Sequence, residues 1–196
     1  MSPGCTGIAL VLVDVINGFD FEGSEHLVRG AASAAPHIER LAVSAREQQV
    51  PVIYVNDNFG MWQSDFRAVA ESCLREGQPG ADVARRLLPK ETDYFVLKPR
   101  HSGFLGTPLE ALLRHLEVHV VVLAGFATDL CVLFTAMDAH ARGFSVALAA
   151  DATAANGEDR QRTALALFDQ TLSAPIVQSS RVEWASLARV ERRQLF

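Results

Sequence analysis

Short apolar runs alternate with amphipathic segments along the chain, and this alternation limits the possible folds most strongly. The first run, Ile8 to Val15, is nearly all aliphatic, as in a strand buried on both faces. Similar runs follow at Val52 to Val55, Tyr94 to Leu97, His119 to Leu123, Val146 to Ala149 and, more weakly, Pro175 to Val177. Helical patterns lie between them at Ala31 to Gln49, Ala81 to Leu88, Pro108 to Leu116, Leu130 to Arg142 and Asp159 to Gln170. The pattern predicts an α/β fold with a doubly wound, mainly parallel six-stranded sheet and helices on both faces.

The length of 196 residues fits one domain, so we expect residues 1–196 to form a single unit. A net charge of −5 without a Lys/Arg cluster argues against nucleic acid as a partner. No apolar stretch approaches the roughly 20 residues that span a bilayer, and no cationic segment precedes the first run. We therefore expect a cytoplasmic protein without a membrane partner.

The interval from Asn56 to Gly80 breaks the alternation, because it mixes polar and aromatic residues without a clean period. We interpret it as a long active-site loop. The phosphate-binding patterns G-x-G-x-x-G and G-x-x-x-x-G-K-[ST] are both absent, so neither a dinucleotide nor a nucleoside triphosphate is indicated. We expect no cofactor.

Two charged residues and a thiol lie where parallel strands are predicted to end. Asp14 closes the first run, Lys98 follows the third, and Cys131 begins the helix after the fourth. Because ligands bind at the carboxyl ends of parallel strands, we expect these side chains to meet there. An ammonium and a helix N-terminus would both favour a thiolate and lower the pKa of Cys131.

Each of these residues also has a purely structural interpretation. A strand-end aspartate can bond nearby amides, a lone lysine is usually solvated, and a free cysteine often packs as a small hydrophobe. Cys5, Cys73 and Cys131 are widely spaced and odd in number, which argues against a disulfide framework. A thiol redox sensor is a weaker interpretation, since no resolving cysteine is evident in the sequence.

The block GFATDLCVLFTAMDAHARGFSVALAADAT resembles the signature of the isochorismatase-like hydrolase superfamily, in its cysteine hydrolase branch. The first strand with Asp14 and the segment KPRHSGFLGTPLEALL with Lys98 match in order and spacing. The resemblance implies a catalytic triad of Asp14, Lys98 and Cys131. In it, Asp14 takes the thiol proton, Cys131 forms a thioester with the substrate, and Lys98 holds the charges in place.

The resemblance also implies a cis peptide at Phe126–Ala127. The backbone N–H groups of Ala127 and Cys131 would then form an oxyanion hole. Members of the superfamily are commonly dimers or tetramers, so a homo-oligomer is expected. The loop from Asn56 could cross to a neighbouring subunit.

Nicotinamidases of this superfamily carry a D-x-H metal motif after the second strand. Here Asp57 is retained, but Phe59 replaces the histidine, so we expect no metal and no nicotinamidase activity. True isochorismatases cleave a vinyl ether and generally lack the cysteine. Cys131 therefore favours cleavage of a C–N bond in a small amide, a carbamoyl or ureido compound, or a lactam.

The expected substrate pocket includes aromatic residues, each of which could instead belong to the core. Asn17 lies in I-N-G-F, where related sequences have Q-N-D-F, which leaves the pocket's polarity open. Two alternatives to amide hydrolysis stay open: a vinyl-ether hydrolase, and a catalytically silent member that binds a metabolite. The candidate pocket residues are Asn17, Phe19, Phe59, Trp62, Phe104, Phe126 and Thr128.

Overall fold

A computed structural model describes residues 6–189, and Cys5 lies outside them. Six parallel strands form one sheet in the order β3-β2-β1-β4-β5-β6. The predicted α/β architecture is confirmed, and the sheet is wholly rather than mainly parallel. The strands are β1 (Ile8–Val13), β2 (Val52–Asp57), β3 (Tyr94–Lys98), β4 (Val120–Phe126), β5 (Ser145–Ala154) and β6 (Ile176–Val177).

The helices in the described residues cover both faces of the sheet. One apolar cluster joins the first helix to one face of the central strands, and a second joins the fourth and fifth helices to the other face. β1 lies at the centre and every one of its residues is buried, as its unbroken apolar run predicts. The helices are α1 (Glu25–Glu47), α2 (Phe66–Cys73), α3 (Ala81–Arg86), α4 (Leu109–His115), α5 (Leu133–Ala141), α6 (Glu158–Gln170) and α7 (Trp184–Leu187).

The prediction of one long loop between residues 56 and 80 is wrong in part, because α2 lies inside it. Asp65 caps this helix by accepting a hydrogen bond from the Ala68 N–H at 2.9 Å. Phe66 anchors it, with its ring centroid 5.0 Å from that of Phe95. This helix is difficult to predict from the sequence, because a segment of 8 residues makes only about two turns and shows little apolar periodicity.

The predicted helix beginning at Leu130 is also divided. A π-helical turn, Thr128–Val132, precedes α5 and contains Cys131. Such turns are rare and frequently occur at functional sites. No helix within residues 6–189 is both long enough and apolar enough to cross a membrane.

Candidate active site

The structure brings Asp14, Lys98 and Cys131 together at the carboxyl ends of the strands. Asp14 directly follows β1, Lys98 ends β3, and Cys131 lies in the turn after β4. The Lys98 Nζ lies 2.9 Å from Asp14 Oδ2 and 3.6 Å from Cys131 Sγ. The thiol and the Asp14 carboxyl are close enough for each to affect the pKa of the other. A carboxyl group, an ammonium and a thiol therefore share one small volume.

The end of β1 is fixed by the neighbouring strand. The buried Asn56 side chain accepts a hydrogen bond from the Ile16 N–H at 3.1 Å and donates one to the Ile16 carbonyl at 2.7 Å. The Asp57 N–H donates to Asp14 Oδ1 at 2.7 Å. Asp14 itself has a φ of 53°, a left-handed conformation that Asp tolerates better than most residues. These bonds orient its carboxylate towards Lys98.

The turn that carries Cys131 is tied to the loop that follows Lys98. The Thr135 hydroxyl donates to the Cys131 carbonyl at 2.7 Å and accepts a hydrogen bond from the Gly103 N–H at 2.9 Å. Thr135 is only 1% exposed, so water does not compete for these bonds. The Thr135 hydroxyl therefore links the turn that contains Cys131 to the loop that follows Lys98.

The expected cis peptide at Phe126–Ala127 is wrong: the described residues contain no cis peptide bond. The unusual backbone conformation lies at Gly125 instead, which has a φ of 121°. A Cβ added there would lie 2.0 Å from the Val13 carbonyl oxygen, so only glycine fits. Gly125 therefore provides the bend at the end of β4, and the Phe126–Ala127 peptide has the more stable trans form.

The predicted low pKa of the Cys131 thiol is also wrong. Burial raises the pKa of Cys131, the Asp14 carboxylate raises it further, and Lys98 offsets only part of the rise. Burial likewise raises the pKa of Asp14, against the opposing charge of Lys98. Lys98 is fully buried, which disfavours its charge, yet its anionic neighbours outweigh this and hold its pKa above the usual value. The free site therefore contains an ammonium and a protonated thiol.

The analysis of the sequence missed the part that Asp57 plays. Its Oδ2 lies 3.3 Å from Lys98 Nζ, so the lysine contacts two carboxylates. Asp57 and Lys98 are register partners on adjacent strands. The available signal was its position at the carboxyl end of β2, the same kind of position that Asp14 and Lys98 occupy.

Four of the predicted pocket residues line two clefts, neither of which is lined by Asp14, Lys98 or Cys131. Phe59 and Trp62 line a cleft of about 560 Å³ that Asp57 also lines. Asn17, Phe19 and Phe59 line a second cleft of about 430 Å³. Trp62 is 76% exposed, which leaves its ring free to contact a ligand.

The remaining pocket residues are buried. Phe104 packs in the core against Phe144, with ring centroids 6.0 Å apart, and Phe126 packs against Phe19 at 5.8 Å. Both are therefore core residues: Phe126 belongs to the apolar cluster on one face of the sheet, and Phe104 belongs to the cluster on the other face. Thr128 is 0% exposed, and its hydroxyl has no hydrogen-bond partner within the described chain.

Comparison with known proteins identifies the family. Residues 8–179 match the isochorismatase domain. The chain belongs to the isochorismatase family. It is 36% identical over 174 residues to the uncharacterized isochorismatase family protein YaaI of Bacillus subtilis, covering 89% of this chain and 95% of YaaI.

Two further members of the isochorismatase family have names that state an activity. The ureidoacrylate amidohydrolase RutB of Methylorubrum extorquens is 28% identical, over 74% of this chain and 68% of RutB. The crystal structure of N-carbamoylsarcosine amidase from Thermoplasma acidophilum superposes with a TM-score of 0.69 and 27% identity, covering 91% of this chain and 99% of the other. Both relatives act on C–N bonds outside peptides, which supports the prediction of a hydrolase of that class.

A metal of the kind bound in nicotinamidases does not fit the residues present. Within residues 6–189, no cluster of three or more His, Cys, Asp or Glu side chains could hold an ion. Asp57 faces Lys98, and its other oxygen accepts a hydrogen bond from the Phe59 N–H at 2.7 Å. A cation at Asp57 would have to displace the lysine ammonium, and Phe59 offers no imidazole at the position where nicotinamidases carry a histidine.

Chelator treatment is therefore expected to leave hydrolysis unchanged. Asp57 is already paired with Lys98, and residues 6–189 hold no group of three or more His, Cys, Asp or Glu side chains that could bind an ion. The measurement is the initial rate before and after dialysis against a strong chelator, together with elemental analysis of the purified protein. A stoichiometric transition metal whose removal abolishes turnover would contradict this prediction.

Proposed function

We propose that this protein is a cysteine-dependent amidohydrolase that cleaves a C–N bond in a small amide, carbamoyl or ureido compound, or lactam. The observation that carries the proposal is the contact of Lys98 Nζ with both Asp14, at 2.9 Å, and Cys131, at 3.6 Å, in a nearly dry setting. Burying an ammonium and a carboxylate is costly, and such clusters gather at functional sites. The named relatives point to the same bond type.

The reaction would begin with proton transfer from the Cys131 thiol to the Asp14 carboxylate. The sulfur then attacks the substrate carbonyl carbon, and the C–N bond breaks as Asp14 returns the proton to the leaving amine. Water next attacks the thioester, with Asp14 again taking its proton, and the carboxylic acid and the free thiol are released. Lys98 stays charged throughout and balances the negative charge as it moves between oxygen and sulfur.

We keep the backbone N–H groups of Ala127 and Cys131 as the proposed donors to the oxyanion, now on a trans Phe126–Ala127 peptide. The Ala127 carbonyl accepts hydrogen bonds from Leu130 and Val132, each at 3.1 Å, and these two residues flank Cys131. These two bonds hold the residues on either side of Cys131 against the Ala127 carbonyl. Two donors aimed at a developing oxyanion are each worth about a hundredfold or more in rate.

The decisive experiment is a screen of small amides, ureido acids and lactams, with release of ammonia or amine as the readout. With any active substrate, brief incubation, acid quench and mass measurement should show an acyl adduct on Cys131 when the thioester hydrolyses slowly. Turnover of a vinyl ether without any adduct would favour the isochorismatase-type alternative. Tight binding of a tested compound without turnover would favour a catalytically silent member.

The expected homo-oligomer stays a prediction, as does the cytoplasmic location. We propose a dimer or tetramer in which the aromatic segment around Phe59 and Trp62 lies near a neighbouring site. Trp62 is 76% exposed and Phe59 43%, a degree of apolar exposure common at contact surfaces.

A further inference from the structure

Lys98 stands at the centre of three acidic groups. Its Nζ lies 2.9 Å from Asp14, 3.3 Å from Asp57 and 3.6 Å from the Cys131 sulfur. Only two of these contacts belong to the proposed triad. Asp57 is the additional group, and its register with Lys98 on adjacent strands fixes the pair in place.

The Asp57 side chain is positioned by two contacts. One oxygen accepts a hydrogen bond from the Phe59 N–H at 2.7 Å, and the other faces Lys98. Its side chain is 25% exposed against 6% for Asp14, so water still solvates part of its charge. Asp57 therefore meets the lysine from a more solvent-exposed side than Asp14 does.

The charges around Lys98 do not balance when the thiol ionises. One ammonium then faces two carboxylates and one thiolate, and the side chains of Lys98 and Asp14 are almost closed to water. We propose that Asp57 is a positioning residue that uses Lys98 to keep the Cys131 thiol protonated until substrate is bound and Asp14 removes the proton. This inference rests on the proposed function, because it assigns a role within the same reaction.

The groups that face Cys131 and Lys98 come from each neighbouring strand end. β1 supplies Asp14 and β2 supplies Asp57. Beyond Asp57, the loop after Lys98 contributes Arg100 and His101, which line the same cleft.

Asp129 of the π turn is engaged elsewhere, since its Oδ2 lies 3.4 Å from Arg160. Asp57 is thus the carboxylate whose charge can be removed without touching the acid and base of the triad. Both Asp14 and Asp57 raise the pKa of Cys131, after burial itself.

The test is the Asp57→Asn variant, which keeps an oxygen to accept the hydrogen bond from the Phe59 N–H and removes the negative charge that faces Lys98. The rate of alkylation of Cys131 by iodoacetamide is followed by peptide mass from about pH 6 to about pH 11. We expect the midpoint to fall by about one pH unit, the scale of a neighbouring charge in a partly wet site, which below the midpoint is measured as about tenfold faster alkylation at the same pH. The acid limb of kcat/KM should move in the same direction, because Asp14 then ionises more easily.

Asp82→Asn is the matched control, since that carboxylate is 97% exposed and pairs only with Arg85 within its own helix. Its alkylation profile should superpose on that of the unaltered protein. An unshifted midpoint in folded Asp57→Asn would overturn the inference. Should that variant fail to fold, Asp57→Ser removes the same charge, keeps a hydroxyl acceptor and must show the same shift.

The alkylation readout needs no substrate, which separates the two ideas. A lowered midpoint supports the role of Asp57 even where no amide in the panel is hydrolysed, and failure of the panel counts against the proposed function alone. Conversely, amide hydrolysis with an unchanged alkylation profile in both Asp57 variants leaves the proposed function standing and overturns the inference.

Discussion

Replacing Cys131 with alanine is expected to lower kcat by at least about a thousandfold, because no other group in the site can form the acyl intermediate. Substrate binding should change little, since only one sulfur atom is lost. The bond from Thr135 to the Cys131 carbonyl involves the backbone and persists in the variant. The free energy of unfolding should therefore change by no more than about 1 kcal/mol.

Cys131→Ser separates the role of the thiol from its volume. A serine hydroxyl fills nearly the same space but ionises far less readily than a thiol, so this variant should also be nearly inactive. Both variants are measured by initial rates on the substrate found in the screen and by thermal unfolding. Undiminished turnover in the Cys131→Ala protein would remove the thioester mechanism and favour vinyl-ether chemistry, in which an acid alone suffices.

Replacing Lys98 with methionine is expected to abolish activity and also to destabilise the protein by about 3 to 5 kcal/mol at neutral pH, since removing one partner leaves buried charge unpaired. Lys98 is 0% exposed and contacts both Asp14 and Asp57. Methionine fills a similar volume, so the loss comes from the carboxylates rather than from a cavity.

The loss of stability should depend on pH in a definite direction. Without the ammonium, the pKa of Asp14 in the folded state rises further above that of the unfolded chain. The unfolded chain then ionises first as the pH rises, so the penalty is small below the unfolded pKa and grows until the pH exceeds the folded pKa. Denaturant unfolding at mildly acidic and neutral pH measures this difference.

Lys90→Met is the control for Lys98→Met, because Lys90 is an exposed lysine in the segment before β3. Its removal changes the net charge by the same amount and should leave both stability and turnover close to those of the unaltered protein. A Lys98→Met protein as stable as the control at every pH would show that the two carboxylates do not depend on the ammonium.

Local sequence determined the sheet and the positions of its functional strand ends. The apolar run from Ile8 forms the fully buried strand β1, and Asp14 follows directly after the last residue of that strand. Lys98 and Cys131 were placed by the same reasoning. An apolar run and the spacing of its residues depend only on positions close together in the chain, so both can be recognised in the sequence.

Only the tertiary structure decided what those residues experience. The contact between Asp57 and Lys98 joins residues 41 positions apart and depends on the register of β2 with β3. The protonated state of Cys131 follows from the number of carboxylates that share one ammonium and from how little water reaches them. Likewise, Phe104 is a core residue because Phe144 packs against it, and Phe126 is one because Phe19 packs against it. Charge balance and packing are set by distances across the fold, which a linear pattern of residues does not contain.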